Sequence, residues 1–144
     1  MITYQSSVTI DRPPEAVFPY IVELSKQALW SDVQMRPITG GDVLQKDSRL
    51  ELTFGKGPLK AKIGLEMTAA EPPTRTTWRT FSGPISWQGE YRLEPSGEGA
   101  TKVSQQGTLE FHGLWRLLEP FVGGEIKSGE IKELEKLKAA VEGA

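Results

Sequence analysis

Few side chains in this sequence are equipped for chemistry, and the alternation of polar and apolar residues sorts them. His112 is the only histidine, the side chain best matched to proton transfer near neutral pH. It shares the alternation parity of Lys102, Gln106 and Glu110, a solvent-facing set, which argues against a general base. A Ser-His-Asp triad would need this same histidine, and no nucleophile-elbow motif accompanies it. The polar groups that alternation turns inward are Ser6, Thr76, Tyr91, Gln105 and Thr101. A buried hydroxyl or amide left unpaired costs about 1–3 kcal/mol, so these groups must pair with one another, with water or with a bound molecule. Tyr91 and Gln105 could orient the polar end of an otherwise apolar molecule. Tyr91 could also serve as an acid, with Gln105 or an ordered water positioning the reacting group. Tyr91 and His112 are therefore the candidate catalytic residues. The strand cores offer no inward Asp, Glu, Lys or Arg, although proton abstraction normally uses a base tuned by burial. Glu71 has inward parity but abuts Pro72-Pro73 and is expected in the turn.

The chain has no cysteine, which excludes disulfides, thiolate metal sites and thiol nucleophiles. The carboxylates show no clustered ligand spacing and no calcium-loop pattern, so neither a metal nor another cofactor is expected. Gly55-Lys56-Gly57-Pro58 lacks the Lys-Ser/Thr and the helix of a phosphate-binding loop and reads as a turn between strands.

The elements that must position these groups come from periodicity. In Leu59-Lys60-Ala61-Lys62-Ile63-Gly64-Leu65-Glu66-Met67 every odd position is apolar, and the even ones carry the charges and a glycine. That is a strand with one wet and one dry face. Leu50, Leu52 and Phe54 alternate likewise, as do Ile85, Trp87, Tyr91 and Leu93, and Val103, Leu109 and Phe111. A first strand spans about Thr3 to Asp11. Asp11-Arg12-Pro13-Pro14-Glu15 then starts a helix through Val17, Phe18, Ile21 and Leu24, with Pro19 expected to bend or shorten it. Ser25 is expected to cap a second short turn ending near Trp30. Glycine and proline punctuation separates the later strands and makes sequential neighbours antiparallel. From Leu114 the period is helical: Leu114, Leu117, Leu118, Phe121, Ile126, Ile131, Leu134, Leu137 and Val141 form a stripe, with a kink expected at Pro120. Glu133 with Lys136 and Glu135 with Lys138 read as pairs on a solvated face.

The 144 residues make one domain, residues 1–144, large enough for its own core. A formal charge of −2 with interspersed signs gives no broad basic surface, so nucleic acid is not expected as a partner. The start lacks a signal-peptide pattern and no run is long enough to span a membrane, so a cytoplasmic protein without integral membrane association is expected.

The order of elements, together with Val8-Thr9-Ile10-Asp11-Arg12-Pro13-Pro14-Glu15-Ala16-Val17-Phe18, Trp30-Ser31, Ala70-Glu71-Pro72-Pro73, Leu118-Glu119-Pro120-Phe121 and Leu134-Glu135-Lys136-Leu137-Lys138, resembles the polyketide cyclase/dehydrase and lipid-transport (SRPBCC) group of the START-like, Bet v 1-like superfamily. The resemblance covers nearly the whole chain. It implies an α+β helix-grip fold: a curved antiparallel sheet of about six or seven strands wrapped on a long C-terminal helix, with two short helices after the first strand. It also implies an apolar cavity between sheet and helix, opening near the loops and the start of that helix. By alternation Leu52, Phe54, Ile63, Leu65, Trp78, Trp87, Tyr91, Gln105 and Leu109 face it, Leu117 and Phe121 close over it, and Trp30 and Trp115 stand at its rim. A one-residue bulge would reverse the facing of everything beyond it.

The resemblance implies three readings. The first is binding of a small hydrophobic molecule such as a lipid, an isoprenoid or an aromatic polyketide. The second is a cyclase or dehydratase acting on such a molecule. The third is a protein-interaction domain whose core its own side chains fill, which leaves a protein partner open.

Overall fold

The computed structural model describes residues 1–144 except Asp32, Lys56, Gly57 and Leu59, with Phe54 described by its backbone. The turn expected at Gly55–Pro58, the strand start at Leu59 and the inward side chain of Phe54 therefore lie wholly or partly outside the described residues. The strands are β1 (Ile2–Ile10), β2 (Gln34–Thr39), β3 (Arg49–Phe54), β4 (Ala61–Glu71), β5 (Arg75–Ser82), β6 (Ile85–Pro95) and β7 (Thr101–Phe111). They form one seven-stranded antiparallel sheet in the order β1-β7-β6-β5-β4-β3-β2. Hairpin connections keep β2 to β7 in sequence order, and β1 pairs with the last strand. In β7 the alternation is unbroken: Thr101, Val103, Gln105, Leu109 and Phe111 are all buried.

β4 departs from strict alternation. Its pairing with β5 shifts register between Gly64 and Leu65 and again between Met67 and Ala69. The second shift reverses the facing of the strand end. Ala70 then pairs with the buried Thr76, while Glu71 turns to solvent and meets Arg75 at 2.8 Å.

Helix α1 (Pro14–Val22) opens on proline, whose fixed φ suits the first turn. Pro19 shortens it: the helix stops three residues later, with the Glu23 amide donating to the Pro19 carbonyl at 2.9 Å. Helix α2 (Leu24–Gln27) follows. Ser25 does not cap it as expected, because the residue already lies inside the turn. Its amide and hydroxyl instead donate to Asp42 at 3.2 and 3.0 Å, and the Asp42 carbonyl accepts from Leu24 at 2.9 Å.

A 3₁₀ turn, Gly113–Leu117, precedes the long helix α3 (Glu119–Glu142). The break comes before Pro120, which sits in the first turn of α3 where proline costs nothing. Both ends of α3 are tied to the first strand. The Met1 ammonium meets Glu119 at 2.9 Å. At the far end, Glu142 accepts from the Asp11 amide at 2.8 Å, and Lys138 donates to the Thr9 carbonyl at 2.7 Å. Lys138 also pairs with Glu142 at 2.6 Å rather than with Glu135. The buried face of α3 is Leu134, Leu137 and Val141, with Ile126 half-buried. That spacing runs through position 130, so Ile131 lies out of phase and is exposed.

Candidate functional site

Between the sheet and α3 lies an aromatic layer. Trp78 of β5 meets Trp87 of β6 edge to face, centroids 5.3 Å apart, and Tyr91 at 5.2 Å. Tyr91 also meets Trp30 edge-on at 6.4 Å. Trp87 Nε1 donates to the Tyr4 hydroxyl at 2.9 Å, and Trp30 Nε1 donates to the Tyr20 carbonyl at 2.8 Å. Two inward glycines make room for these rings. A Cβ on Gly89 would stand 2.5 Å from Trp78 Cζ2, and one on Gly107 would collide with the Tyr4 hydroxyl. The rings therefore lie against bare backbone, where any side chain would displace them.

The rings fill most of the layer and leave a cavity of about 50 Å³, room for one or two water molecules at roughly 30 Å³ each. Its wall is largely apolar: Ile21, Leu44, Leu50, Leu65 and Met67 close one side, and Trp78, Trp87 and Tyr91 the other. The polar groups in the wall are few. Gln27 comes from α2, Ser31 from the chain just beyond it, Thr76 from β5, and Glu130 and Glu133 from adjacent turns of α3. Gln27 (7% exposed), Thr76 (1%) and Trp78 (6%) are buried. Even so, Gln27 Oε1, Thr76 Oγ1 and Trp78 Nε1 have no hydrogen-bond partner among the described residues. Three such atoms around one small space are an exception to the rule that buried polar groups are paired.

The carboxylates set the electrostatics. Burial, reinforced by the nearby charge of Glu133, pushes the Glu130 carboxyl up to about 8, against a smaller opposing effect of the Gln105 amide. Burial first, then the charges of Glu130 and Glu133, pushes the Tyr91 hydroxyl well above the ordinary tyrosine range. Tyr4 is shifted the same way by burial and by Glu130. Tyr91 and Tyr4 therefore stay neutral phenols at ordinary pH, and Glu130 is the wall group that exchanges a proton near neutrality. Glu133 also accepts from the Ser31 hydroxyl at 3.3 Å. No lysine, arginine or histidine lines the cavity among the described residues.

The residues picked out by alternation divide into four groups. Leu65, Trp78, Trp87 and Tyr91 line the cavity. Leu52, Ile63 and Leu109 are buried but packed solidly within the sheet's inner face. Gln105 is buried behind the cavity, where Nε2 donates to Ser6 Oγ at 3.1 Å and to the Glu130 carbonyl at 2.9 Å. The third group corrects the expectation. Leu117 (70% exposed) and Phe121 (80%) face solvent: Leu117 belongs to the 3₁₀ turn, and Phe121 sits half a turn round α3 from the stripe that the helix buries. Trp30 is no rim residue either: at 2% exposure it is core, its indole satisfied by Tyr20. Trp115 is half-buried against the core. Finally, His112 is exposed, its Nε2 2.6 Å from Ser86 Oγ, and Thr101 donates to the Arg12 carbonyl at 2.7 Å.

Strand alternation could not find Glu130 and Glu133, because both come from α3. Glu130 follows Ile126 by four residues and precedes Leu134 by four, which puts a carboxylate on the buried stripe. Glu133, expected on the solvated face, stands one turn along the same side. A surface hollow of about 280 Å³ beside α2 and β2 shares Gln27, Ser31, Val33 and Met35 with the cavity, and it includes the connection between those two elements. A larger concavity, about 550 Å³, is on the opposite face of the sheet. It is a shallow, open groove edged by Gln5, Arg75, Thr77, Arg79 and Gln88.

The model of the polyketide cyclase/dehydrase and lipid transport family matches residues 1–142. A comparison with curated protein sequences found no match. Solved structures share the fold at low identity. TTHA0849 from Thermus thermophilus superposes with a TM-score of 0.76 at 18% identity, covering 96% of each chain. Ara h 8.0201 gives 0.71 at 15%, covering 99% of this chain and 98% of its own. The di-domain ARO/CYC BexL from the BE-7585A biosynthetic pathway gives 0.74 at 15%, covering 99% of this chain and 47% of its own.

Proposed function

We propose that this chain, which belongs to the polyketide cyclase/dehydrase and lipid transport family, binds a small hydrophobic molecule with a polar end in the cavity between the sheet and α3. The observation that carries this reading is the convergence of Gln27 Oε1, Thr76 Oγ1 and Trp78 Nε1, all buried and unpartnered, on a mainly apolar wall. Each such atom costs about 1–3 kcal/mol while unpaired, and a ligand's polar end recovers part of that cost. The cavity itself admits only the head of a ligand. Together with the hollow beside α2 it comes to the lower edge of the ~300–1,000 Å³ usual for small-molecule sites. The body of the molecule would lie along Leu24, Ala28, Val33 and Met35.

Native mass spectrometry of the purified protein, followed by a thermal-shift screen with isoprenoid alcohols, fatty alcohols and aromatic polyketides, tests the reading. A co-purified species, or a ligand whose stabilisation is lost in Trp78→Ala, supports it. No bound species and no shift across the panel would return the core to a filled, structural role and point to a protein partner.

A second reading, an acid–base enzyme of cyclase or dehydratase type, draws on Glu130. A carboxyl held near 8 beside the neutral Tyr91 hydroxyl can give or take a proton at neutral pH. In that case Glu130→Gln abolishes turnover of a bound ligand, and Tyr91→Phe lowers it while the affinity stays within a few fold. Turnover that survives Glu130→Gln rules this reading out.

A further inference from the structure

The orphaned atoms around the cavity differ in what they ask of a partner. Gln27 Oε1 is an acceptor without a donor, and Trp78 Nε1 is a donor without an acceptor. Thr76 Oγ1 belongs to a hydroxyl, which acts as either. All three side chains are buried and line the same space of about 50 Å³. Two other polar groups of the wall are already engaged: Trp87 Nε1 donates to the Tyr4 hydroxyl at 2.9 Å, and the Ser31 hydroxyl donates to Glu133 at 3.3 Å. The Gln27 amide adds Nε2, a further donor. Glu130, pushed up to about 8, keeps its proton at pH 7.

We infer that the cavity takes the hydroxyl end of an aliphatic alcohol, which donates its proton to Gln27 Oε1 and accepts from Trp78 Nε1 and the Thr76 hydroxyl, an assignment that rests on the cavity-binding reading above. A hydroxyl carries one donor and two acceptor lone pairs on a single atom, and that count matches the three orphaned groups one for one. Water satisfies the same groups, so an alcohol displaces a water molecule from the cavity without losing a hydrogen bond. Its chain gains apolar burial along the hollow beside α2. The volume agrees, since about 50 Å³ leaves room for a hydroxyl and the carbon that bears it. Other heads leave one group unmet. An ammonium has no acceptor for Trp78 Nε1. A carboxylate accepts from Trp78 Nε1, Gln27 Nε2 and the Thr76 hydroxyl, but it offers nothing to Gln27 Oε1 and meets no lysine, arginine or histidine in the wall among the described residues. A ketone or an ether also accepts and again leaves Gln27 Oε1 without a donor.

The test is an NMR titration of the full-length protein at pH 7.0 with four probes of matched length: hexan-1-ol, methyl pentyl ether, hexylamine and pentanoate. The alcohol is expected to bind most tightly, with the ether at least about fivefold weaker because it has no proton for Gln27 Oε1. The amine and the carboxylate also bind more weakly than the alcohol. In Gln27→Leu the alcohol falls to within about twofold of the ether. In Trp78→Phe, which keeps a ring and removes Nε1, both weaken and the preference for the alcohol stays. Should either variant fold poorly, the order of the four probes on the wild type decides alone. An ether that binds as tightly as the alcohol, an amine or carboxylate that binds more tightly, or a preference that survives Gln27→Leu overturns the hydroxyl assignment and leaves hydrophobic binding standing. Binding of none of the four overturns both.

Discussion

Gln105, in the middle of β7, donates through Nε2 to the backbone carbonyl of Glu130 at 2.9 Å. The same nitrogen donates to Ser6 Oγ on β1 at 3.1 Å. One buried amide thus fixes the turn of α3 that carries a carboxylate into the apolar layer. The Gln105 side chain belongs to the support of the site and not to its wall.

Replacing Gln105 by leucine keeps the volume and removes both bonds. The Ser6 hydroxyl loses a partner in a half-buried position, at a cost of about 1–3 kcal/mol. Urea denaturation should therefore show a loss in that range. Glu130 should also titrate higher, since the amide that opposes its upward shift is gone. A variant as stable as the wild type, with Glu130 unchanged, would show that the tie is not made in solution.

Glu130 gives the fold a pH dependence of definite sign. The unfolded carboxyl ionises near 4.5 and the folded one near 8, so between those values the folded state holds the extra proton. Its contribution to stability is full below about pH 4.5, declines as pH rises and is exhausted above about pH 8. Glu90, Glu119 and Glu142 are shifted downward, Glu90 by hydrogen bonds from Arg75 and Arg92 that outweigh its burial, Glu119 by the Met1 ammonium and Glu142 by Lys138. Their contributions are present above the unfolded value and are lost in acid. Thermal melts across pH 4–9 should peak near pH 5. In Glu130→Gln the descending arm should flatten, with a gain of about 1–2 kcal/mol at pH 8.

Thr76 separates stability from binding. Its hydroxyl is buried without a described partner, so Thr76→Val exchanges an unsatisfied polar atom for a methyl group of nearly the same size. The free protein should gain about 0.5–1 kcal/mol in denaturant titrations. Any ligand that uses this oxygen should bind more weakly to the variant. A stability loss would mean that the hydroxyl is paired in solution.

Gly89 tests the fit between ring and sheet. A methyl there would stand 2.5 Å from Trp78 Cζ2, and overpacking of this kind costs about 1–3 kcal/mol. Gly89→Ala should lower the melting temperature and change the near-UV circular dichroism of the Trp78–Trp87–Tyr91 cluster. Unaltered aromatic signals would show that the rings do not lie where this geometry puts them.

The sequence makes the sheet readable because a half-buried strand writes its facing into every second residue. β7 obeys that rule from Thr101 to Phe111. Legibility stops where the backbone changes phase. The register shift after Met67 turns Glu71 outward, and no residue type in Met67-Thr68-Ala69 announces it. The site was less legible than the fold because its charged half sits on a helix. The stripe Ile126, Leu134, Leu137 and Val141 points to position 130, but including the out-of-phase Ile131 hides the carboxylate.

The start of the C-terminal segment holds the sharpest difference between pattern and structure. Apolar periodicity assigns Leu117 and Phe121 to the cover of the cavity, whereas both side chains stand in solvent beside the equally exposed Leu114. Phe121 lies inside α3, nine residues and so two and a half turns before Glu130, on the side opposite the face that Leu134 and Leu137 bury, and Leu117 belongs to the 3₁₀ turn, whose three residues per turn do not continue that face. Leu117→Ser and Phe121→Ser should therefore each change stability by less than about 0.5 kcal/mol, in contrast to Leu137→Ala, at 0% exposure, which should cost about 2–5 kcal/mol. Denaturant titration of the three variants decides the matter. A loss above about 1.5 kcal/mol at Leu117 or Phe121 would mean that the segment packs inward in solution and that the apolar cover drawn from the sequence is correct.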